Sequence, residues 1–101
     1  MSITHRKFID IICSKDFYTD YDHAPERVKQ RVNILIELIA EEGFLPNSLQ
    51  THKAEFFDGL YIGYVTVGKS AWRILFSEDG YRLLFERLLS HKDMDRYLSG
   101  N

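Results

Sequence analysis

The stretch "LYIGYVTVGKSAWRILFSEDGYRLLFERLL", Leu60–Leu89, decides the fold. It holds three runs rich in β-branched and aromatic residues: Leu60–Val67, Ala71–Ser77 and Tyr81–Leu89. "VGKS" and "SEDG" separate them, and both are short turn-forming stretches. Three consecutive strands joined by tight turns make an antiparallel meander. "VGKS" also looks like the end of a phosphate-binding loop. It lacks the upstream glycine and no helix follows it, so we read it as a hairpin turn with Lys69 near any substrate. In the middle run, alternation sets Ala71, Arg73 and Leu75 on one face and Trp72, Ile74 and Phe76 on the other. The second set is the core face, which leaves Arg73 looking out of the sheet's open side.

Upstream, the hydrophobic period changes. Val28, Val32, Leu35, Ile36 and Ile39 follow the i, i+4, i+7, i+8, i+11 spacing of an amphipathic helix. Pro25 suits its first turn, Glu26 suits the positive end of its dipole, and Gly43 and Pro46 stop it. The predicted helix runs from about Pro25 to Glu42. Before it, "SKDFYTDYDH" (Ser14–His23) starts on a residue able to cap a helix and carries Phe17 and Tyr21 four apart, which predicts a short helix. "KFIDIIC" (Lys7–Cys13) reads best as a strand. The order is β-α-α-β-β-β plus a tail: an α+β fold of two layers, with a helical hairpin packed on an antiparallel β-sheet. A chain of 101 residues without repeats or linkers makes this one domain, residues 1–101.

Charge and cysteine usage narrow the function classes. Residues 1–50 hold six Lys/Arg against eight Asp/Glu, and residues 51–101 hold seven of each, so the net is −2. That is not the basic footprint of a protein gripping long nucleic acid by its phosphates. Any nucleic-acid role must rest on a local cluster. No stretch approaches the ~20 apolar residues that a bilayer crossing needs, and "MSITHRKFIDII" lacks a signal-peptide pattern. The lone Cys13, in an apolar run, reads as a small core residue and fits a reducing cytoplasm. Asp20–His23, or His5 with His23, lacks the fixed spacing of a metal site.

The tail "SHKDMDRYLSG" (Ser90–Gly100) crowds a histidine, a lysine, an arginine and a tyrosine behind the last apolar run. Ser90-x-x-Asp93 is close to a helix capping box, so one reading is a short helical turn that seals the sheet with exposed His91 and Lys92. The other reading is chemical. A histidine titrates near pH ~6.5 and can exchange protons at neutrality. A cap can also hold a catalytic histidine in place.

The sequence resembles the RelE/ParE superfamily of small toxins from bacterial and archaeal toxin–antitoxin pairs. "FIDIICSKDFYTDY" resembles the family's opening strand and helix start. "PNSLQTHKAEFFDGLYIGYV" resembles its loop and following strand, "AWRILFSEDG" its arginine-bearing strand, and "LLSHKDMDRYL" its closing "GHRxDxY" segment. The resemblance implies one of two activities. RelE-like members cut messenger RNA on the ribosome by attack of the RNA 2′-hydroxyl on the neighbouring phosphate. ParE-like members share the fold but poison DNA gyrase. A third reading is an inactive member that only binds a partner.

For the nuclease branch, the resemblance implies Arg73 as the strand arginine on the phosphate and His91 as general acid or base. It implies Tyr97 as the tyrosine that stacks on or hydrogen-bonds substrate, and Glu55 as a loop acid able to serve as base. Lys53, Lys69, Lys92 and Arg96 are the candidate phosphate contacts. Lys92 stands where arginine is usual, and a lysine cannot make the planar bidentate contact. The strand "LYIGYVT" carries no basic residue where RelE places lysines. No cofactor and no metal are called for. The implied partners are a cognate antitoxin in an apolar groove, the ribosome and mRNA for the nuclease branch, and DNA gyrase for the other. Tyr18, Tyr21, Phe56 and Phe57 are candidate contacts for the antitoxin.

Overall fold

The helix that begins after Pro25 organises the first layer. In a computed structural model, which describes residues 7–54, 57–68 and 71–100, helix α2 spans Glu26–Glu42 and buries Val28, Val32, Leu35 and Ile39. Those are four of the five periodic residues, and the fifth, Ile36, is half-buried against the same core. Gly43 ends the helix in the left-handed conformation (φ 79°) and donates to the Ile39 carbonyl at 2.7 Å. A side chain there would be strained, which is why the stop is a glycine. The Gly43 carbonyl in turn accepts from the Phe8 amide at 2.6 Å, tying the end of α2 to the chain entering the first strand.

Helix α1, Lys15–His23, is capped by Ser14, whose Oγ accepts from the Phe17 amide at 3.0 Å. It buries Phe17 against Phe85. The Tyr21 hydroxyl donates to Asn33 Oδ1 at 2.8 Å and so ties the two helices of the hairpin together.

The second layer is a five-stranded sheet: β1 (Asp10–Cys13), β2 (His52–Lys53), β3 (Tyr61–Tyr64), β4 (Trp72–Asp79) and β5 (Arg82–Ser90). Its order is β1-β5-β4-β3-β2. The β3-β4-β5 meander is antiparallel, as the turn chemistry predicts. β1 pairs parallel with β5, Asp10 opposite Arg82 through Cys13 opposite Phe85, so the complete sheet is mixed. The two-residue β2 escapes a periodicity reading because it is too short to carry one. Among the described residues no helix is long and apolar enough to cross a membrane.

Strand β5 carries an irregularity that its sequence demands. Leu83 and Phe85 are odd positions and Leu88 is even, yet all three are buried in the main core. Strict alternation would send Leu88 to the opposite face. The register slips instead: Leu75 faces Arg87 and Phe76 faces Phe85, so Glu86 is left as an extra residue. This bulge resets the alternation. Leu83, Phe85 and Leu88 then join Ile74, Phe76 and α2 in one core, and Arg87 and Leu89 turn to the other face.

That other face is not open. Leu75 and Ile62 pack there against Ala54 and Met94 in a second, smaller core. The sequence reading of Arg73 as looking out of an open side is therefore corrected, because the tail folds over that face. Gly63, buried on β3, admits Leu49 from the short turn Asn47–Leu49. A Cβ at this position would stand 2.5 Å from Leu49 Cγ.

β1 ends at Cys13, and β5 runs on without a strand neighbour on that side. Side chains replace the missing ladder. Ser14 Oγ donates to the Glu86 carbonyl at 2.7 Å. Asp20 Oδ2 accepts from the Leu88 amide at 3.0 Å. The same Asp20 carboxylate accepts from Arg87 Nε at 2.7 Å and Nη2 at 3.0 Å, a two-pronged pair. These hydrogen bonds to Asp20, ahead of the opposing effect of burial, raise the Arg87 pKa above its already high value, so Arg87 stays charged. Cys13 is half-buried against the main core, as the sequence implied. Burial raises its thiol pKa, and a hydrogen bond with Tyr18 opposes that in part.

Asp20 serves three donors, and both members of the pair are largely out of water, at 11% and 22% exposure. Asp20→Ala leaves a strand amide without its partner and a charged guanidinium with only the Tyr97 side chain against it. The expected loss is about 2–4 kcal/mol, read as a lower urea midpoint with an unchanged slope. A loss below about 0.5 kcal/mol would contradict this account of the strand edge.

Candidate active site

The tail is a full helix, α3 (His91–Leu98), and not a single turn. Ser90 caps it, with Oγ accepting from the Asp93 amide at 3.2 Å. The His91 amide donates to the Ala71 carbonyl at 2.9 Å, fixing the start of α3 beside the start of β4. Met94 anchors the helix on the sheet and is completely buried, and Leu98 packs half-buried on the same cluster. The sequence shows this face only as Met94 and Leu98, four apart, a pair too short to make an apolar stripe.

Docking α3 brings its side chains over Arg73. Register places Arg73 between Tyr64 on β3 and Leu89 on β5. The guanidinium stacks on the Tyr64 ring, 4.6 Å from its centre. The side chain is only 16% exposed, and its Nε is buried with no hydrogen-bond partner. Asp95 stands beside it, Oδ1 lying 3.9 Å from Arg73 Nη1. The other oxygen, Oδ2, lies 3.0 Å from His91 Nε2, one helical turn back. One carboxylate thus spans the two residues that sequence reasoning had placed at the chemistry. Asp95 is not among the residues that the sequence singles out. The available signal was its i, i+4 spacing from His91.

A cleft of about 580 Å³ opens at this point, with Arg73, Asp95, His52, Lys53, Phe57 and Ile62 among its walls. His91 is not on the wall and reaches it through Asp95. His52 Nδ1 lies 3.0 Å from the Lys53 carbonyl. A carbonyl only accepts, so in this contact Nδ1 carries the proton, and in the neutral ring Nε2 is the nitrogen with the lone pair. The His52 ring meets the Tyr64 ring edge-on, 5.6 Å between centres. Tyr64 therefore supports both the arginine and the histidine, a role that β3 alternation alone does not reveal.

The other predicted residues separate into two groups. Tyr97 stacks on Arg87, 4.7 Å from guanidinium carbon to ring centre. It is two residues from Asp95, which on a helix is more than half a turn around, so it lies on the opposite flank of α3. Lys92 and Arg96 are exposed, with Arg96 Nη1 3.8 Å from Asp93, and neither lines the cleft. Glu55 and Lys69 lie outside the described residues, as do Phe56 and His5. Among the described residues no three His, Cys, Asp or Glu side chains gather as a metal site requires. A second groove, of about 230 Å³, runs between α2 and the end of β3, with Ile34, Leu38, Leu49, Val65 and Val67 on its walls. Of the candidate partner contacts, Tyr18 is exposed, Tyr21 is half-buried in its bond to Asn33, and Phe57 is exposed at the cleft.

No family model and no curated protein matches the sequence of the chain. Solved structures do match its shape. RelE from Methanococcus jannaschii, solved as a RelB–RelE antitoxin–toxin complex, superposes with a TM-score of 0.71 at 24% identity, over 85% of this chain and 96% of that one. The chain has the RelE/ParE toxin fold. YafQ from E. coli strain BL21(DE3) gives 0.66 at 21% identity over 84% and 96% of the two chains. YoeB from Staphylococcus aureus, solved as a dimer, gives 0.63 at 17% identity over 82% and 97%. At these identities the likeness is one of fold, and the side chains of the cleft have to speak for themselves.

Because Met94 is what seats α3 within the RelE-type fold, Met94→Ala should cost about 2–5 kcal/mol. It should also part Asp95 from Arg73, seen as movement of the Arg73 guanidinium signals in NMR. Unchanged Arg73 signals in a destabilised variant would show that α3 is held by other contacts.

Proposed function

We propose that the protein is the toxin of a toxin–antitoxin pair, and that it cuts messenger RNA on the ribosome without a metal. The observation that supports this most is the convergence on one cleft of a stacked, under-bonded arginine with two imidazoles, His52 on the wall and His91 behind Asp95. RNA cleavage from within needs a base for the 2′-hydroxyl proton, an acid for the departing 5′-oxygen, and fixed positive charge at the phosphate. The 2′-oxygen attacks phosphorus, the bond from phosphorus to the 5′-oxygen breaks, and a cyclic phosphate and a 5′-hydroxyl remain.

In this reading His52 Nε2, with Nδ1 committed to the Lys53 carbonyl, takes the 2′-hydroxyl proton. His91, beside the Asp95 carboxylate, protonates the leaving oxygen. The Arg73 guanidinium binds the phosphate as its charge grows, and Lys53 adds positive charge at the mouth. Tyr97, Lys92 and Arg96 are better placed to meet neighbouring nucleotides or the ribosome than the reacting phosphate. The groove beside α2 is the candidate seat for a cognate antitoxin, a partner with which the RelE and YafQ neighbours were solved. A ribosomal target places the activity in the cytoplasm.

A second reading has its own support. β3 carries no basic residue and the net charge is −2, which suits a binding protein that inhibits DNA gyrase by contact alone. A supercoiling assay beside a translation assay separates the two.

The purified protein is expected to stop cell-free translation and to leave RNA fragments with 5′-hydroxyl ends. Arg73→Ala, His91→Ala and His52→Ala should each weaken cleavage by about 10²–10³-fold. If Arg73→Ala and His91→Ala inhibit translation as strongly as the unmodified protein, this assignment of the site is wrong.

A further inference from the structure

The Arg73–Asp95–His91 bridge holds more than the proposed cleavage needs. A guanidinium carries five donors and no acceptor. Arg73 is mostly withdrawn from water, yet its Nε has no partner. Stacking on Tyr64 satisfies its face and uses none of its donors. The Asp95 oxygen 3.9 Å from Nη1 is beyond hydrogen-bond length. Charge attraction holds that carboxylate near Arg73, and it leaves the Nε donor unmatched.

Asp95 itself is loosely held. Its side chain is 63% exposed, and its short contact is with His91, itself half exposed. A change of one side-chain rotamer swings the carboxylate into solvent. The groups it touches, a guanidinium and an imidazole, are the groups that take a tetrahedral oxyanion. The cleft beside them is large enough for a phosphate and has Lys53 and His52 on its wall. In charge and in its paired oxygens, a carboxylate spanning Arg73 and His91 stands where an anion would sit.

We propose that Arg73 and His91 form an anion seat that the Asp95 carboxylate fills in the free protein, so that Asp95 is a built-in competitor which a substrate phosphate must displace. The proposal rests on the nuclease reading only for the identity of the natural anion, an RNA phosphate. The seat and its occupant stand on the geometry alone. Asp95 then sets a threshold. A lone phosphate pays for displacement in full, whereas a substrate held by other contacts gains enough from them to move the carboxylate aside.

The test is binding of inorganic phosphate to the purified chain, by titration calorimetry and by NMR of the His91 ring. Asp95→Asn keeps the size and removes the charge. It should bind phosphate about five- to tenfold more tightly than the unmodified protein, the effect of removing a like charge at about 4 Å that is screened by water, as the exposed Asp95 carboxylate is. Adding Arg73→Gln to Asp95→Asn should abolish the gain. Asp93→Asn removes the same charge from the same helix, on the side that faces Arg96, and should change the affinity less than twofold.

Equal or weaker binding by Asp95→Asn would overturn the proposal, since a carboxylate that only orients His91 predicts that result. Equal tightening by Asp93→Asn would also overturn it, by reducing the effect to net charge. Tighter binding in a protein inert toward translation would remove the nuclease reading and leave the seat standing.

Discussion

The extra residue in β5 is the constraint on which both layers depend. Without the slip at Glu86, the strand could not bury Leu83, Phe85 and Leu88 on one face while turning Arg87 and Leu89 to the other. Each fully buried side chain of this size is worth about 1.5–3 kcal/mol. Misdirecting Leu88 alone would forfeit that amount and put an apolar residue under the C-terminal helix. The bulge therefore lets one strand serve two cores, the large one beneath the helical hairpin and the small one beneath α3. It also sets Arg87 where Asp20 can reach it, and so closes the strand edge that β1 leaves bare.

The second core is small, and the site depends on it. Among the described residues it buries Ala54, Ile62, Leu75 and Met94 outright. That is enough to dock α3, because the helix is also tied at its start by the His91 amide and by the Ser90 cap. A helix held at one end and by one methionine is fixed in position but not clamped. Charged side chains on its flank remain free to exchange partners, as a seat that must open for a ligand requires. Tyr64 performs the complementary service from below, since its ring holds the Arg73 guanidinium without using the donors that a phosphate would take.

The location of the polar groups separates the molecule into two ends of unlike chemistry. The Arg87–Asp20 pair is short, two-pronged and joined to a backbone amide, and its work is structural. The Arg73–Asp95 contact is long, partly exposed and leaves Nε unmatched. The two arginines sit on neighbouring strands of one sheet face. What distinguishes them is whether the facing carboxylate comes from a helix packed edge-on, as Asp20 does, or from the exposed flank of α3. An overall negative charge is compatible with a phosphate-binding cleft for the same reason: the acids are spent locally, and the cleft keeps Arg73 and Lys53 on its wall.

The hydrophobic periods by themselves determined the two-helix hairpin, the three-strand meander and the core face of β4. These are local consequences of repeats of about 3.6 and 2 residues, and the caps at Ser14, Gly43 and Ser90 are equally local. Arg73 and His91 were legible as site candidates through the resemblance their segments carry. Only the tertiary structure decided that β1 runs parallel to β5, that the face bearing Arg73 is covered, and that Tyr97 belongs with Arg87 and not with the cleft. It alone placed His52 and Tyr64 beside Arg73 and drew Asp95 between Arg73 and His91. Each of these depends on contacts between residues far apart in the chain, fixed by a one-residue slip and by a single buried methionine. The slip shows in the sequence only as a break in the β5 alternation, and the methionine only as a pair with Leu98, so the sequence could name the chemical groups but not say which of them meet.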